Sequence, residues 1–368
     1  MKAETVEGGV ACTSTGLTAR SVCGGGRGER CDRRCRRRRG VLARLPAAIV
    51  VVLALLPASV AAETIRCSHQ FPPQHHITGL IERWATELGR LSKGRITIEL
   101  IGEAKLFKPD ENILAVARGD VECAFSLNFQ WSRKLPLMTA TLAPFAMQSP
   151  EIPRRWMGSE AVELLEEKMD EKGVQSVAWL FQTNQTVITA DGRHVLHPDD
   201  FAGLRIRGLI PALDQTLQQL GAKTVPMDAS KLYEAMRTGT VDVAITDVAV
   251  AVARRLYEQH DHMVLLPMLS VYVNGYVTPQ WYDLLDDELK DAFRQAGENA
   301  MQWSVEVSTA AATAAPAVLR DRGVDLHVAS AEEIEVLRAA LQPHFLELFL
   351  EEAGEDGPEL LDLIAKLK

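Results

Sequence analysis

The chain has 368 residues, 40 of them Lys or Arg and 49 Asp or Glu, for a formal net charge of −9. The first 62 residues hold 11 of the basic and 4 of the acidic residues, so the remainder carries −16. Such an acidic surface disfavours nucleic acid and anionic membranes, and a negative ligand must be drawn by local cations.

Residues 1–62 read as a leader, not as folded protein. Met1 to Arg30 is poor in apolar residues, and a basic run follows from Arg33 to Arg39. The apolar stretch Leu45 to Leu56 comes next, closed by Ala58-Ser59-Val60-Ala61-Ala62. Basic, apolar and small-residue segments in that order make a secretory signal. The apolar part is shorter than the ~20 residues of a membrane span. Arg38-Arg39-Gly40-Val41-Leu42 resembles a twin-arginine export signal. The expected product begins near Glu63 and works in the periplasm. Four cysteines (Cys12, Cys23, Cys31, Cys35) lie in the leader, which leaves Cys67 and Cys123. Two cysteines without a partner pattern make no metal site, and no cofactor motif is present.

The remaining residues suffice for two ordinary domains. A strand is expected at Thr64 to Ser68 and a helix from about His75 to Leu91, with Leu80, Ile81, Trp84 and Leu88 on its apolar stripe. A strand at Ile96 to Ile101, a helix at Asp110 to Arg118 stopped by Gly119, and a strand at Val121 to Phe125 follow. This rhythm is a doubly wound α/β unit. The next loop, Ser126 to Trp131, joins amides to aromatics, so Asn128, Phe129 and Trp131 are candidates to line a cleft. A helix at Ser159 to Lys172 and a strand at Val174 to Phe181 lead to a crossing at Gln182 to Gln185.

The most informative stretch runs from His197 to Asp247. Pro198-Asp199-Asp200-Phe201-Ala202-Gly203-Leu204-Arg205-Ile206-Arg207 ends in a short strand. A helix from Pro211 to Leu220, Gly221-Ala222, Pro226, a helix from Ala229 to Arg237 and Gly239-Thr240-Val241-Asp242 follow, then a strand at Val243 to Ile245. Strand exits at Arg207 and Thr246 lie in one βαβ-like unit, and such exits are where ligands bind open α/β sheets. A helix at Ala249 to Tyr257 and strands at Met263 to Leu266 and Leu269 to Val277 come next. A long helix from Asp283 to Ala312, with Gly297 as its weak point, a strand at Val324 to Val328 and a helix at Ala331 to Glu351 complete the chain.

These motifs, in this order and spacing, resemble the solute-binding proteins of TRAP transporters, the DctP-like family. The resemblance spans roughly residues 63–346. It implies a two-lobed α/β periplasmic binding protein fold (type II-like) with an interlobe cleft and a long bridging helix. The lobes would be discontinuous: 63–181 with 273–312, and 182–272 with 313–346, followed by a helical tail at 347–368. The implied partners are a small organic acid and the TRAP membrane permease subunits, with the chain itself a monomer. Departures exist: Val243 stands for the usual Gly, Thr246 for Asn, Asp247 for Pro, and Gly208-Leu209 for Val-Pro. The strands bearing Cys67 and Cys123 would be neighbours, which leaves a disulfide and two buried thiols both open.

Catalytic signatures are missing: the mature chain has no G-x-S-x-G, P-loop, H-E-x-x-H or G-x-G-x-x-G. Capture is therefore expected, not reaction. A guanidinium matches a carboxylate bidentately. Of the strand's two arginines, Arg207 takes the family's carboxylate-binding position, and Arg205 is expected to face away from the cleft. The resemblance further assigns ligand contact to Thr246, Gln70, Asn128 and Gln182. Gln182 stands where acidic-sugar binders often have a second arginine, which points to one principal carboxylate. Asp247 reads equally as an acceptor for a ligand ammonium or hydroxyl and as a helix N-cap. An ABC-importer binding protein and a periplasmic enzyme acting on a small acid are the alternatives.

Overall fold

The structure is a computed structural model that describes residues 62–368; the leader's signal and cleavage segments lie outside the described residues. The chain begins β1 (Glu63–His69), α1 (His76–Leu91), β2 (Ile96–Ile101), α2 (Asn112–Arg118) and β3 (Cys123–Leu127). After α3 (Ile152–Trp156) and α4 (Glu160–Asp170), β4 (Gln175–Thr183) passes through only Asn184 and Gln185 into β5 (Thr186–Ala190). The central unit is β6 (Arg205–Gly208), α5 (Pro211–Gln219), β7 (Lys223–Pro226), α6 (Leu232–Arg237), β8 (Val243–Asp247), α7 (Val248–Ala253) and β9 (His262–Leu266). The chain then returns through β10 (Val271–Val277), α8 (Pro279–Tyr282), α9 (Asp287–Asp321), β11 (Asp325–Val328), α10 (Ala331–Ala353) and α11 (Asp356–Ala365).

Two sheets result. One has the order β2-β1-β3-β10-β4 and the other β11-β9-β5-β8-β6-β7. Each mixes parallel pairs with antiparallel ones made by the strands that cross between lobes: β10 is antiparallel to β3 and β4, and β5 to β8 and β9. Pro226 is tolerated because β7 is an edge strand, where a missing donor costs nothing in the ladder.

The first lobe packs around aromatic side chains. Trp84 of α1 is fully buried and meets Phe125 edge-on at 5.0 Å, as the apolar stripe predicts. Trp156, Trp179 and Tyr272 form a second buried group. Cys67 and Cys123 are register partners on β1 and β3 and are joined by a disulfide, which closes the alternative of free thiols.

The long helix runs farther than the sequence suggests. It continues through Pro316 to Asp321, because its C-terminal part gains burial against the second lobe through Ala315 and Leu319. Residues 313–321 thus continue the helix while packing on the second lobe. Gly297 is no weak point either: a Cβ there would meet the Val177 carbonyl oxygen at 2.4 Å. Its absence lets α9 lie directly on β4. Ser304 accepts from the Phe181 amide and Ser308 donates to the Phe181 carbonyl, each at 2.8 Å. The exposed edge of β4 is thereby satisfied by a helix. Glu347 to Ala353 ends α10, and α11 follows it with Leu360 and Ile364 packed into the main core. The chain passes between the lobes at Asn184-Gln185, at residues 267–270, along α9, and again along α10, whose Arg338 and Gln342 bond to Gln148 and the Pro144 carbonyl of the first lobe.

Candidate functional site

A cavity of about 80 Å³ lies where the two sheets face each other. The first lobe contributes Gln70, Phe71 and His75 from the loop after β1, and Leu127 and Phe129 after β3. The hinge contributes Gln182, Thr183 and Thr186. The second lobe contributes Arg207 and Leu209 at the end of β6, Thr246 and Asp247 at the end of β8, and Arg254 beyond α7. Parallel strands thus offer their carboxyl ends to one crevice, the usual ligand position in open α/β sheets.

The two arginines of β6 have different fates. Arg205 is exposed and forms a two-pronged ion pair with Asp242, which also accepts from the Arg205 amide at 2.8 Å. Residues two apart share a face of a strand, so position along β6, not facing, separates them. Arg205 opens the strand far from the cleft, and Arg207 stands near its cleft end. Asp242 of the Gly239-Thr240-Val241-Asp242 motif therefore acts as a clamp between β6 and β8. The Arg207 Nε is buried and unpartnered, and among the described residues Arg207 has no ion-pair partner. Burial and the nearby Arg254 lower its pKa to about 10, with Asp214 and Asp228 opposing the fall. It stays charged at neutral pH.

Asp214 explains one departure in sequence. Its Oδ1 accepts from the Leu209 amide at 2.8 Å, a donor that proline lacks. A Cβ on residue 208 would meet Asp214 Oδ2 at 2.6 Å. Gly208-Leu209 thus makes room for a carboxylate beside Arg207 and donates to it. Burial raises the Asp214 pKa, against the pull of the Leu209 amide and Arg207.

Asp247 combines the two roles open in the sequence. Its Oδ1 caps α7 by accepting from Ala249 at 2.7 Å, and Oδ2 accepts from Gln182 Nε2 at 3.3 Å, beside the cavity. Complete burial pushes its pKa up to about 7, although those two donors act to lower it. The Gln182 Oε1 is buried without a partner. Unpartnered polar atoms on Gln182, Arg207 and Arg254 around one cavity each cost about 1–3 kcal/mol of lost solvation, a cost that a polar solute in the cavity would remove.

The family model for bacterial extracellular solute-binding proteins, family 7 (DctP), matches residues 67–352. The chain belongs to this family. A solute-binding protein of Albidiferax ferrireducens is 28% identical over 55% of this chain and 62% of its own length. The C4-dicarboxylate-binding periplasmic protein DctP of Rhodobacter capsulatus is 24% identical over 83% of this chain and 92% of its own. The crystal structure of a TRAP periplasmic solute-binding protein from Desulfovibrio salexigens with bound orotic acid superimposes with a TM-score of 0.77. It shares 17% identity and covers 83% of this chain and 98% of its own. The two-lobed α/β architecture is that of the TRAP periplasmic solute-binding proteins.

Of the residues expected at the site of this DctP-family chain, Arg207, Thr246, Gln70, Gln182 and Asp247 surround the cavity. Asn128 and Trp131 do not. Asn128 is spent inside the first lobe: its Nδ2 donates to Thr141 Oγ1 at 2.5 Å and to the Met138 carbonyl, and its Oδ1 accepts from Tyr272 N. Trp131 is fully buried against Tyr276. A 3₁₀ turn over Asn128–Trp131 turns these two inward and leaves Phe129 on the cavity. Arg254 and His75 were not anticipated. Arg254 sits eight residues past Thr246, where only the packing of α7 brings it back. His75 was visible as a helix-start residue, and its Nδ1 does cap α1.

Proposed function

We propose that this chain is the extracytoplasmic solute receptor of a TRAP-type secondary transporter, taking up a small carboxylate-bearing solute. The observation that carries this is Arg207: a half-buried arginine on the cavity whose Nε is enclosed and which, with Asp214 nearby, has no ion-pair partner among the described residues. A solute carboxylate would supply the missing partner through two parallel hydrogen bonds. Related proteins bind C4-dicarboxylates and orotic acid, and the family membership favours a TRAP system over an ABC importer.

The cycle is capture without chemical change. Open lobes admit the solute, Arg207 fixes its carboxylate, and rotation about the interlobe links closes the cleft. The membrane permease subunits then take the solute from a monomeric receptor. A thermal-shift screen of small carboxylates identifies binders, because a ligand bound only by the folded state stabilises it. Small-angle scattering with a saturating binder should then show a reduced radius of gyration. An unchanged profile, or no binder among the acids, defeats this reading.

Periplasmic residence is supported by the Cys67–Cys123 disulfide, a bond that persists in oxidising compartments. One intact-mass measurement on protein from the periplasmic fraction tests both points. The expected chain starts at or near Glu63 and weighs about two hydrogens less than its reduced form. A mass that retains the Arg33–Arg39 run would overturn the export reading.

A further inference from the structure

We infer that a cleft behind the hinge is a second ligand site, which takes a small uncharged polyol or sugar and couples its binding to closure of the front cavity. The coupling, but not the site, rests on the reading of the front cavity as the solute site. The rear cleft holds about 360 Å³, within the range of roughly 300–1,000 Å³ usual for small-molecule sites. Its walls are the crossing segment around Asn184-Gln185 and the stretch of α9 from Ser308 to Pro316, with Gln148 of the first lobe and Leu265 of the second at its ends. Gln182 and Thr186 line the front cavity, whereas Phe181, Asn184 and Gln185 line the rear cleft, and Thr183 borders both. One strand crossing is thus a wall shared by two cavities. Thr183 Oγ1 accepts from the Gln185 amide at 2.9 Å and donates to the Gln185 carbonyl at 3.0 Å, so the shared wall carries the hinge turn itself.

The lining sets the ligand class. None of the thirteen side chains around the rear cleft is charged, so an ionic ligand would shed its hydration there without a counter-ion. Two polar groups lack partners. Gln148 Oε1 accepts from Arg338 Nη2 at 3.0 Å, which fixes the amide, and its buried Nε2 has no hydrogen-bond partner among the described residues. Pro316 lies inside α9 and has no N–H, so the Ala312 carbonyl one turn earlier loses its helical donor. A polyol offers an oxygen to the first and a hydroxyl to the second, and its C–H faces suit Pro150, Pro153 and Phe181. The rear cleft is wide while the front cavity is narrow, at about 80 Å³. An occupant that fits this arrangement favours it over one with the front open. A solute held between the lobes favours it too, so each ligand strengthens the other.

Ligand-observed NMR with ribitol and glucose tests the site, and at least one of them should bind the parent. Thr313 is exposed at the mouth of the cleft, so Thr313→Trp fills the entrance without touching the core and should weaken that polyol by about 10-fold or more. Pro316→Ala returns a donor to the Ala312 carbonyl and keeps the helix, so it should cost about 3- to 10-fold, the scale of one hydrogen bond. Arg207→Ala should bind the polyol like the parent. With no acid present, saturating polyol should reduce the radius of gyration in small-angle scattering. Failure of both polyols to bind, undiminished binding by Thr313→Trp and Pro316→Ala, or loss of binding in Arg207→Ala overturns the rear site. An unchanged radius overturns the coupling. If the polyol results hold but Arg207→Ala keeps full affinity for the acids of the thermal-shift screen, the solute-site reading fails instead.

Discussion

Replacing Arg207 by Ala is expected to weaken solute binding by about 30- to 4,000-fold. Removing one partner of a buried, hydrogen-bonded charge pair costs about 2–5 kcal/mol, at roughly tenfold per 1.4 kcal/mol. The solute's carboxylate would otherwise be enclosed among Phe71, Leu209 and Ile245 without its fork. Arg207→Lys should lose most of the affinity as well, because an ammonium is a point charge and cannot reproduce two parallel donors. Arg205→Ala is the control on the same strand: it faces solvent and Asp242, so affinity should hold. The ligand-free Arg207→Ala protein should melt no lower than the parent, since the change deletes a buried charge that lacks an ion partner. Calorimetry on the three variants decides the matter. Equal binding by Arg207→Ala and the parent would remove Arg207 from the site.

The second large effect concerns acid. Burial lowers the pKa of His75 to about 3, and of His69 and His76 to about 4. Unfolded histidine titrates near 6.5. Stability from these three groups is therefore present above about pH 6.5 and lost as the pH falls towards 4. Asp247 acts oppositely. Its folded pKa of about 7 lies above the unfolded carboxylate value, so its contribution is present at low pH and lost as the pH rises through 7. Near pH 5.5, unfolding takes up about three protons on the histidines and releases about one from Asp247. The net of about two contributes near 2.7 kcal/mol per pH unit from these four groups. Asp247→Asn retains a good helix cap and should steepen the slope by about 1.4 kcal/mol per pH unit. Urea unfolding of the solute-free protein between pH 4.5 and 7.5 measures both slopes. A variant no steeper than the parent would mean that Asp247 is already ionised in the folded protein.

Much of the fold is legible along the chain because each element writes its own pattern. The α1 stripe of Leu80, Ile81, Trp84 and Leu88 names both the helix and the face it buries. The run from Pro198 to Asp242 identifies the family, and Arg207 can be singled out within it. What one element cannot encode is where another element sits. Asn128 and Phe129 are adjacent in a polar-aromatic loop, yet a 3₁₀ turn sends the first into Thr141 and the second to the cavity. Gly297 looks like a helix defect until β4 is laid against it. Arg254 and His75 are 179 positions apart in sequence, in different lobes, and no local period links them. Composition, periodicity and motif order thus determined the elements, the family and one arginine. The tertiary structure alone decided which other side chains reach the cleft, because that depends on chain crossings between lobes, and burial there also sets the charge states of Asp247 and the histidines.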